Sequence, residues 1–256
     1  MFDQFTFPDL RDKRILITGG STGIGAAVVL ALASQGAKVA IHFNESREAA
    51  VALQGRYPQN TVLVQGDLGV SGIATKVVQE AVGLLGGLDG IINNAGGMLG
   101  RVPTTEATAD HFDRVLDLNA KSLWEASIAA HRHIVEAGGG FIINTTSIAA
   151  RNGGGGGAVL YAAAKAFVSS LTRGQAKEFV KDRIRVNAVS PGLIQTPFHD
   201  RYTSPEVMAA QRTTIPMGRE GSPEECVGAF LFLASETLSG YITGQVIEVN
   251  GGQLMP

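Results

Sequence analysis

The sequence predicts an α/β fold in which a seven-stranded parallel sheet carries helices on both faces. Short apolar runs alternate with longer stretches of helical periodicity along most of the 256-residue chain. Each short run is apolar at consecutive positions, which is typical of strands buried on both faces. Neither a linker nor a change of composition divides the chain, so residues 1–256 are predicted to form a single domain.

The predicted elements follow one another as strand and helix. The predicted strands are residues 14–18, 38–43, 61–65, 90–93, 140–145, 184–190 and 245–249. The predicted helices are residues 23–35, 45–56, 73–85, 109–137, 160–180 and 223–234. Gly36 and Gly138 directly follow two of these helices, where glycine stops a helix. Ser222 before Pro223 is a cap followed by proline at the first helical position.

Two segments do not fit the strand–helix alternation. Residues 198–219 are polar, contain Pro205 and Pro216, and are predicted to hold a short helix at 206–211. Long segments of this kind often cover a binding site, so we expect a substrate lid at about 198–219. Residues 153–157 are five consecutive glycines. Such a loop offers no side chains to a pocket, and either tolerated loop variation or ordering on substrate binding would account for it.

Composition excludes several classes of partner. The formal net charge is −2 and the basic residues are scattered, so neither nucleic acid nor a membrane surface is an expected partner. The N-terminus lacks the features of a signal peptide, and no apolar run is long enough to span a membrane. Cys226 is the only cysteine, which rules out an internal disulfide and favours a buried thiol. We expect a cytoplasmic protein, and no metal site is predicted.

A glycine-rich turn lies between the first predicted strand and the first predicted helix. It spans residues 18–25 and reads Thr-Gly-Gly-Ser-Thr-Gly-Ile-Gly. Glycines allow the backbone to approach a pyrophosphate, and the helix N-terminus offers free N–H groups and a positive dipole end. At the start of a βαβ unit this pattern predicts dinucleotide binding in a Rossmann-type, doubly wound domain.

Tyr161 and Lys165 are four residues apart in a predicted helix, so their side chains lie on the same face. A tyrosine has an ordinary pKa of about 10, and a neighbouring cation lowers it by favouring the phenolate. The pair is therefore a candidate proton donor and acceptor. A half-buried aromatic ring beside a solvated lysine would give the same spacing, so the pair depends on its context.

The combination of motifs closely resembles the classical short-chain dehydrogenase/reductase family, from about Asp9 to the C-terminus. The glycine spacing Thr-Gly-x-x-x-Gly-x-Gly is the first of these motifs. The others follow in family order and are Asn-Asn-Ala-Gly at 93–96, Asn119, Ser147, the pair Tyr161 and Lys165, and Pro191-Gly192. The resemblance implies an enzyme that interconverts a secondary alcohol and a ketone by hydride transfer with a nicotinamide nucleotide.

The resemblance also implies which residues hold the cofactor. The pyrophosphate would lie on residues 18–25, the adenine near the end of the third strand, and the nicotinamide beside residues 191–196. The implied cofactor-binding residues are Thr18, Gly19, Ser21, Thr22, Gly23, Ile24, Gly25, Phe43, Asn44, Asp67, Leu68, Asn93, Ala95, Gly96, Tyr161, Lys165, Pro191, Gly192, Ile194 and Thr196.

Four residues match the family's catalytic set. Tyr161 would donate the proton to the carbonyl oxygen, and Ser147 would hydrogen-bond that oxygen and stabilise the charge that develops on it. Lys165 would lower the pKa of Tyr161 and bind the nicotinamide ribose. Asn119 would hold a water that links Lys165 to solvent.

The end of the second strand bears on the choice of cofactor. An acidic residue there favours NAD and a basic one favours NADP. Phe43 stands at the usual acidic position and Asn44 follows it, which favours NADP(H). Thr22, where many NADP-dependent relatives carry arginine, and the nearby Glu45 keep NAD(H) as an alternative.

The substrate is less well defined. A polar, glycine-lined rim favours a small polar hydroxy or keto compound such as a sugar, polyol or sugar acid, and a 3-oxoacyl thioester is the alternative. Candidate substrate contacts are Arg101, Arg151, His199, Arg201 and Tyr202. A nucleotide-sensing regulator without turnover is an alternative of another class, although such proteins usually lack the tyrosine or the lysine. Residues 240–252 resemble the family's subunit-contact region, which implies a homotetramer.

Overall fold

The computed structural model describes residues 6–255 and confirms the α/β class. All seven strands are parallel and form one sheet in the order β3-β2-β1-β4-β5-β6-β7. The strands are β1 Arg14–Thr18, β2 Lys38–Phe43, β3 Thr61–Gln65, β4 Gly90–Asn93, β5 Gly140–Thr145, β6 Ile184–Pro191 and β7 Val246–Val249. Their bounds agree with the predicted ones to within one residue.

Helices connect the strands and cover both faces of the sheet. They are α1 Gly23–Ser34, α2 Arg47–Arg56, α3 Ile73–Leu85, α4 Ala109–Leu116, α5 Ser122–Glu136, α6 Ala149–Asn152, α7 Val159–Phe179, α8 Pro197–Tyr202, α9 Pro205–Arg212, α10 Pro223–Ala234 and α11 Glu236–Ser239. The predicted start of α10 is confirmed, because Ser222 and Glu225 form a capping box around Pro223.

The prediction of one continuous helix over residues 109–137 is wrong in detail. A π-helical turn, Asp117–Lys121, separates α4 from α5. The buried side chain of Asn119 donates from Nδ2 to the carbonyl oxygen of Val115 at 2.9 Å. The amide thus bonds to the backbone of its own helix within the widened turn. Single π-helical turns of this kind are frequent at functional sites.

Two apolar cores lie on opposite faces of the sheet. Successive residues of β1 alternate between them, with Ile15 and Ile17 packed under α1 and α10 and Leu16 packed under α3 and α5. The predicted burial of Cys226 is confirmed. Loss of solvent raises the pKa of its thiol to about 12, so this cysteine is a packing residue and not a nucleophile.

The order of the strands fixes where a ligand can bind. The chain runs from β1 outward through β2 and β3, then returns so that β4 lies on the other side of β1. Thr18 at the end of β1 is paired in register with Asn93 at the end of β4. In open parallel sheets the crevice beyond the carboxyl ends of two such strands is the usual binding site. Within residues 6–255, no helix combines the length and apolar character needed to cross a membrane.

Candidate active site

Hydrogen bonds fasten the ends of β1 and β4 together at this crevice. The Thr18 hydroxyl accepts the backbone N–H groups of Asn94 at 3.0 Å and Ala95 at 3.1 Å. In return, the Asn94 side chain donates to the carbonyl oxygens of Thr18 at 3.2 Å and Gly19 at 3.0 Å. Thr18 and Asn94, which are short polar residues at the ends of β1 and β4, therefore hold the glycine-rich turn in place.

The glycines of the turn are required by its geometry. Gly19 and Gly23 have φ of +61° and +55°, in the left-handed region that glycine tolerates best. A Cβ atom at Gly25 would lie only 2.1 Å from the carbonyl oxygen of Gly19, so no larger residue fits there. The turn thus forms a cradle of bare backbone at the N-terminus of α1. Its shape and its free N–H groups fit the pyrophosphate of a dinucleotide.

His42, which sequence reasoning missed, supports this turn from β2. Its Nδ1 accepts the backbone N–H of Gly19 at 3.0 Å, and its Nε2 bonds the carbonyl oxygen of Gly66 at 3.0 Å. An acceptor at Nδ1 and a donor at Nε2 define a neutral imidazole. Burial lowers the pKa of His42 to about 4, so the neutral form persists in the folded protein. A histidine within an apolar strand gives no sequence signal for this role.

A cavity of about 380 Å³ opens beside the turn, at the carboxyl edge of the sheet. It brings together residues from seven separate segments of the chain. The predicted site residues that line it are Gly19, Thr22, Gly23, Ile24, Ala95, Gly96, Ser147, Tyr161, Lys165, Pro191, Gly192, Ile194 and Thr196. Lining residues outside the predicted cofactor-binding and catalytic sets include Asn94, Met98, Asn152, Phe198, Gln211 and Gln253.

Several predicted cofactor-binding residues do not line this cavity. Thr18, Ser21 and Gly25 belong to the turn but are buried in it. At the predicted adenine end, Phe43 and Leu68 are buried, whereas Asn44 and Asp67 are exposed at the surface. The cofactor contacts of these four residues stay a prediction.

The prediction that Asn93 lines the cofactor cleft is not supported by its surroundings. Its side chain is buried, and Nδ2 donates to the Ser127 hydroxyl at 3.0 Å and to Asn144 Oδ1 at 2.9 Å. Strand alternation explains the difference, because consecutive residues at the end of β4 point in different directions. The neighbouring Asn94 is the one that faces the cleft.

Ser147, Tyr161 and Lys165 face the same cavity. Ser147 follows the end of β5, where its hydroxyl accepts the backbone N–H of Ala149 at 3.1 Å. Tyr161 and Lys165 lie one turn apart on α7, as predicted. Lys165 is buried, its Nζ donates to the Thr145 carbonyl oxygen at 2.9 Å, and Nζ lies 5.8 Å from the centre of the Tyr161 ring. Within residues 6–255 its other N–H donors form no hydrogen bond, so they can bind hydroxyl groups in the cleft.

The electrostatics of the pair differ from the predicted ones. Loss of solvent raises the pKa of Tyr161 to about 12, and a hydrogen bond with Ser147 acts in the opposite direction. Burial lowers the pKa of Lys165 to about 8. The expected lowering of the Tyr161 pKa by Lys165 is not found, because Ser147 is the group that lowers it and desolvation disfavours the charged form of both residues. Near neutral pH, Tyr161 carries its proton.

Asn119 lies behind the cavity wall. Its Oδ1 accepts the N–H of Gly97 at 3.0 Å, and its Nδ2 donates to the Gly97 carbonyl oxygen at 2.8 Å. A Cβ atom at Gly96 would lie 2.8 Å from Asn119 Oδ1 and 3.1 Å from Lys165 Nζ, so both side chains pack against this glycine. The water that Asn119 is expected to hold for Lys165 stays a prediction.

Helix α8 carries aromatic side chains to the rim of the cavity. The ring centre of Phe198 lies 5.5 Å from that of Tyr161 and 5.2 Å from that of Tyr202. Of the candidate substrate contacts, Arg101 and His199 line the cavity, whereas Arg151, Arg201 and Tyr202 do not. The sequence did not indicate that Phe198 lines the cavity, because it is a single apolar residue at the start of a polar segment. The function of 198–219 as a lid stays a prediction.

Together, the cradle and the Ser147, Tyr161 and Lys165 side chains define a nucleotide-dependent oxidoreductase acting on CH–OH or keto groups. A family model described as enoyl-(acyl carrier protein) reductase matches residues 19–253. The chain belongs to the classical short-chain dehydrogenase/reductase family. General stress protein 39 of Bacillus subtilis (strain 168) is 39% identical over 249 residues, 96% of this chain and 86% of that protein.

Other relatives carry more specific names. The glucose and ribitol dehydrogenase homolog of Oryza sativa subsp. japonica is 35% identical over 262 residues, 96% of this chain and 87% of that protein. The crystal structure of the NADH-dependent reductase A1-R' responsible for alginate metabolism is 38% identical with a TM-score of 0.90, covering 98% of this chain and 100% of that one. The same reductase complexed with NAD is 37% identical with a TM-score of 0.86 and complete coverage of both chains.

The neutral state of His42 predicts an acid-sensitive stability. The unfolded chain takes up a proton below the ordinary histidine pKa of 6.5, whereas the folded chain does so only near 4. The contribution of His42 is therefore complete above pH 6.5 and is lost as the pH falls toward 4. We expect the free energy of unfolding to fall by about 2 kcal/mol when the pH is lowered from 7.5 to 5, because of His42.

Urea unfolding at both pH values would measure this loss. His42→Asn retains an acceptor near the Nδ1 position but does not titrate. Its unfolding free energy should therefore change by about 2 kcal/mol less between the two pH values than that of the wild type. His111→Asn, at a residue outside the cavity lining, is the matched control and should keep the wild-type dependence. An unchanged pH dependence in His42→Asn would contradict this role.

Proposed function

We propose that this protein reduces the carbonyl group of a small polar keto compound, and oxidises the corresponding alcohol, with a nicotinamide nucleotide. The observation that carries the proposal is the convergence of Ser147, Tyr161 and Lys165 on one cavity beside the glycine cradle. The nucleotide, when bound, supplies or accepts the hydride. The protein contributes orientation and proton transfer.

Tyr161 is the proposed general acid. Its pKa of about 12 keeps the phenol protonated near neutral pH, which is the state that reduction requires. Ser147, which lies beside the phenol, is placed to donate to the same carbonyl oxygen and to stabilise its developing charge. Oxidation of the alcohol requires the phenolate instead, so its rate should rise with pH.

Lys165 and Asn119 are proposed to support Tyr161 by binding the cofactor ribose and by connecting the site to solvent. Lys165 uses one donor on the Thr145 carbonyl oxygen and directs the others at the cleft, where ribose hydroxyl groups would bind. Asn119 fixes the backbone of Gly97, and both Asn119 and Lys165 pack against Gly96. We propose that it holds the water through which Lys165 exchanges protons with solvent.

A sugar, polyol or sugar acid is the proposed substrate class. The rim of the cavity supports it, because Asn152, Gln211 and Gln253 offer several hydrogen-bond donors and acceptors. The names of the relatives point the same way, toward glucose and ribitol in one case and alginate metabolism in another. A 3-oxoacyl thioester is the alternative, and the description of the family model supports it only in naming an acyl carrier protein. A panel of both classes, followed at the absorbance of the reduced nicotinamide, would distinguish them.

NADP(H) is the proposed preferred cofactor and NAD(H) the alternative. The first is supported by the end of β2, where the buried Phe43 replaces an acidic residue and Arg47 is exposed four positions later. The second is supported by the relatives described as NADH-dependent. Glu45 is also exposed there and would repel a 2′-phosphate.

A homotetramer is the proposed assembly. Helix α5 presents Trp124, Ile128 and Val135 to solvent, with 45%, 48% and 40% of each residue exposed. Their spacing of four and seven residues places them on one side of the helix. An exposed apolar stripe of this kind supports contact with another subunit.

The role of Tyr161 is tested by Tyr161→Phe, which removes only the phenolic hydroxyl. We expect kcat for carbonyl reduction to fall by about 100- to 10,000-fold, because general acid catalysis contributes that much. Nucleotide binding, measured by quenching of protein fluorescence, should be retained. Tyr57→Phe, outside the cavity, is the control for losing a hydroxyl. Full turnover in Tyr161→Phe would exclude Tyr161 as the proton donor.

The cofactor preference is tested by comparing NADPH and NADH at equal concentrations. We expect faster turnover with NADPH, and Arg47→Ala should raise KM for NADPH by about fivefold without affecting KM for NADH, since an exposed cation contributes of the order of 1 kcal/mol. Glu45→Gln should lower KM for NADPH. Higher kcat/KM with NADH in the wild type would establish the alternative.

The assembly is tested by light scattering after size-exclusion chromatography. We expect the mass of four chains for the wild type. Trp124→Glu should reduce it, because a charge in an apolar contact is costly. Glu125→Gln, at the neighbouring position, is the control. A wild-type monomer would contradict the proposal.

A further inference from the structure

Arg101 connects three segments that form the roof of the cavity. Its guanidinium donates from Nε to the carbonyl oxygen of Tyr202 in α8 and from Nη1 to the carbonyl oxygen of Gly156 at 3.0 Å. Its Nη2 donates to the Thr203 hydroxyl at 3.2 Å. These bonds fix the plane of the guanidinium. Arg101 lines the same cavity as Ser147 and Tyr161.

The bonds leave the charge and part of the hydrogen-bonding capacity of Arg101 unused. A guanidinium has five N–H donors, and three are accounted for by these contacts. All three acceptors are neutral, and among residues 6–255 no carboxylate forms an ion pair with Arg101. The side chain thus presents a positive charge and spare donors, pre-positioned by its neighbours.

The cavity as a whole favours a negative ligand. Its charged lining residues are Arg101 and Lys165, and no aspartate or glutamate of the described chain lines it. His199 lies on the same wall, where loss of solvent and then the charge of Arg101 lower its pKa. Near neutral pH His199 is accordingly a neutral hydrogen-bonding group, and Arg101 is the cation beside it on the cavity wall.

We infer that Arg101 determines specificity by binding a carboxylate of the substrate, so that the preferred substrate is a keto acid of sugar type. The inference rests on the proposed carbonyl reduction and adds the anionic group to it. A planar guanidinium with two spare donors matches a carboxylate in a bidentate arrangement. Because Arg101 and Tyr161 line the same cavity, one substrate would bind its acid group to Arg101 and its carbonyl group beside Tyr161.

A matched set of three compounds tests the inference. 5-Keto-D-gluconate and L-sorbose differ only in a carboxylate against a hydroxymethyl group, and L-sorbose 6-phosphate carries a phosphate at that end. Arg101→Gln should lower kcat/KM for 5-keto-D-gluconate by about 10- to 100-fold, the effect of losing a charge-assisted hydrogen bond. The effect on L-sorbose should be less than about threefold, because no charge is recognised there.

Two further variants separate recognition from roof structure. Arg101→Lys keeps the charge and should retain part of the preference for 5-keto-D-gluconate. Arg151→Gln, at an exposed arginine outside the cavity lining, should behave as the wild type. Equal losses on 5-keto-D-gluconate and L-sorbose in Arg101→Gln would show that Arg101 only holds the roof, and would overturn the inference. A selective loss on the phosphate compound alone would also overturn it.

A binding measurement keeps the inference separate from the proposed activity. D-Gluconate added with oxidised nucleotide should raise the Tm of the wild type and of Arg151→Gln, but not that of Arg101→Gln. Absence of turnover on all three compounds with this shift retained would contradict the proposed reduction and leave the carboxylate site standing. An equal Tm shift in Arg101→Gln and Arg151→Gln would overturn the carboxylate site.

Discussion

The join between the carboxyl ends of β1 and β4 is the constraint on which the site depends. Here the Thr18 hydroxyl and the Asn94 amide exchange four hydrogen bonds with backbone groups across the two strands. The join closes the sheet where the strand order reverses, and it also sets the path of the glycine turn. His42 holds the same turn from β2, so three neighbouring strands determine the position of Gly19. The cradle is therefore positioned by the sheet itself.

The strands were predictable because buried parallel strands leave a continuous apolar signal. Their ends followed from the glycines and polar residues that bound each run. The π-helical turn at Asp117–Lys121 was not predictable in this way, since the helical spacing of apolar residues runs through it without a visible break. A side-chain bond from Asn119 to Val115 accompanies this turn, and intrinsic helix propensity gives no signal of such a bond.

The candidate site was predictable where it is made of residue types in a fixed order. The glycines, Ser147, Tyr161 and Lys165 converge on one cavity because each follows a strand end or lies on the helix beside one. Contributions from distant segments were not visible in the sequence. His42 acts from within an apolar strand, and the pKa of Tyr161 is set by the loss of solvent around it. Both effects exist only when the segments are assembled.

The π-helical turn has a consequence beyond the placement of Asn119. One additional residue in a helix rotates everything after it by about 100°, because an α-helix has 3.6 residues per turn. The two halves therefore meet different neighbours, with α4 against α7 and α5 against α3. The same offset determines which side of α5 turns Trp124 outward. Removing a single residue from the turn would displace the Asn119 amide and the outer apolar stripe together, so this point of the chain couples the position of Asn119 to the phase of a surface helix.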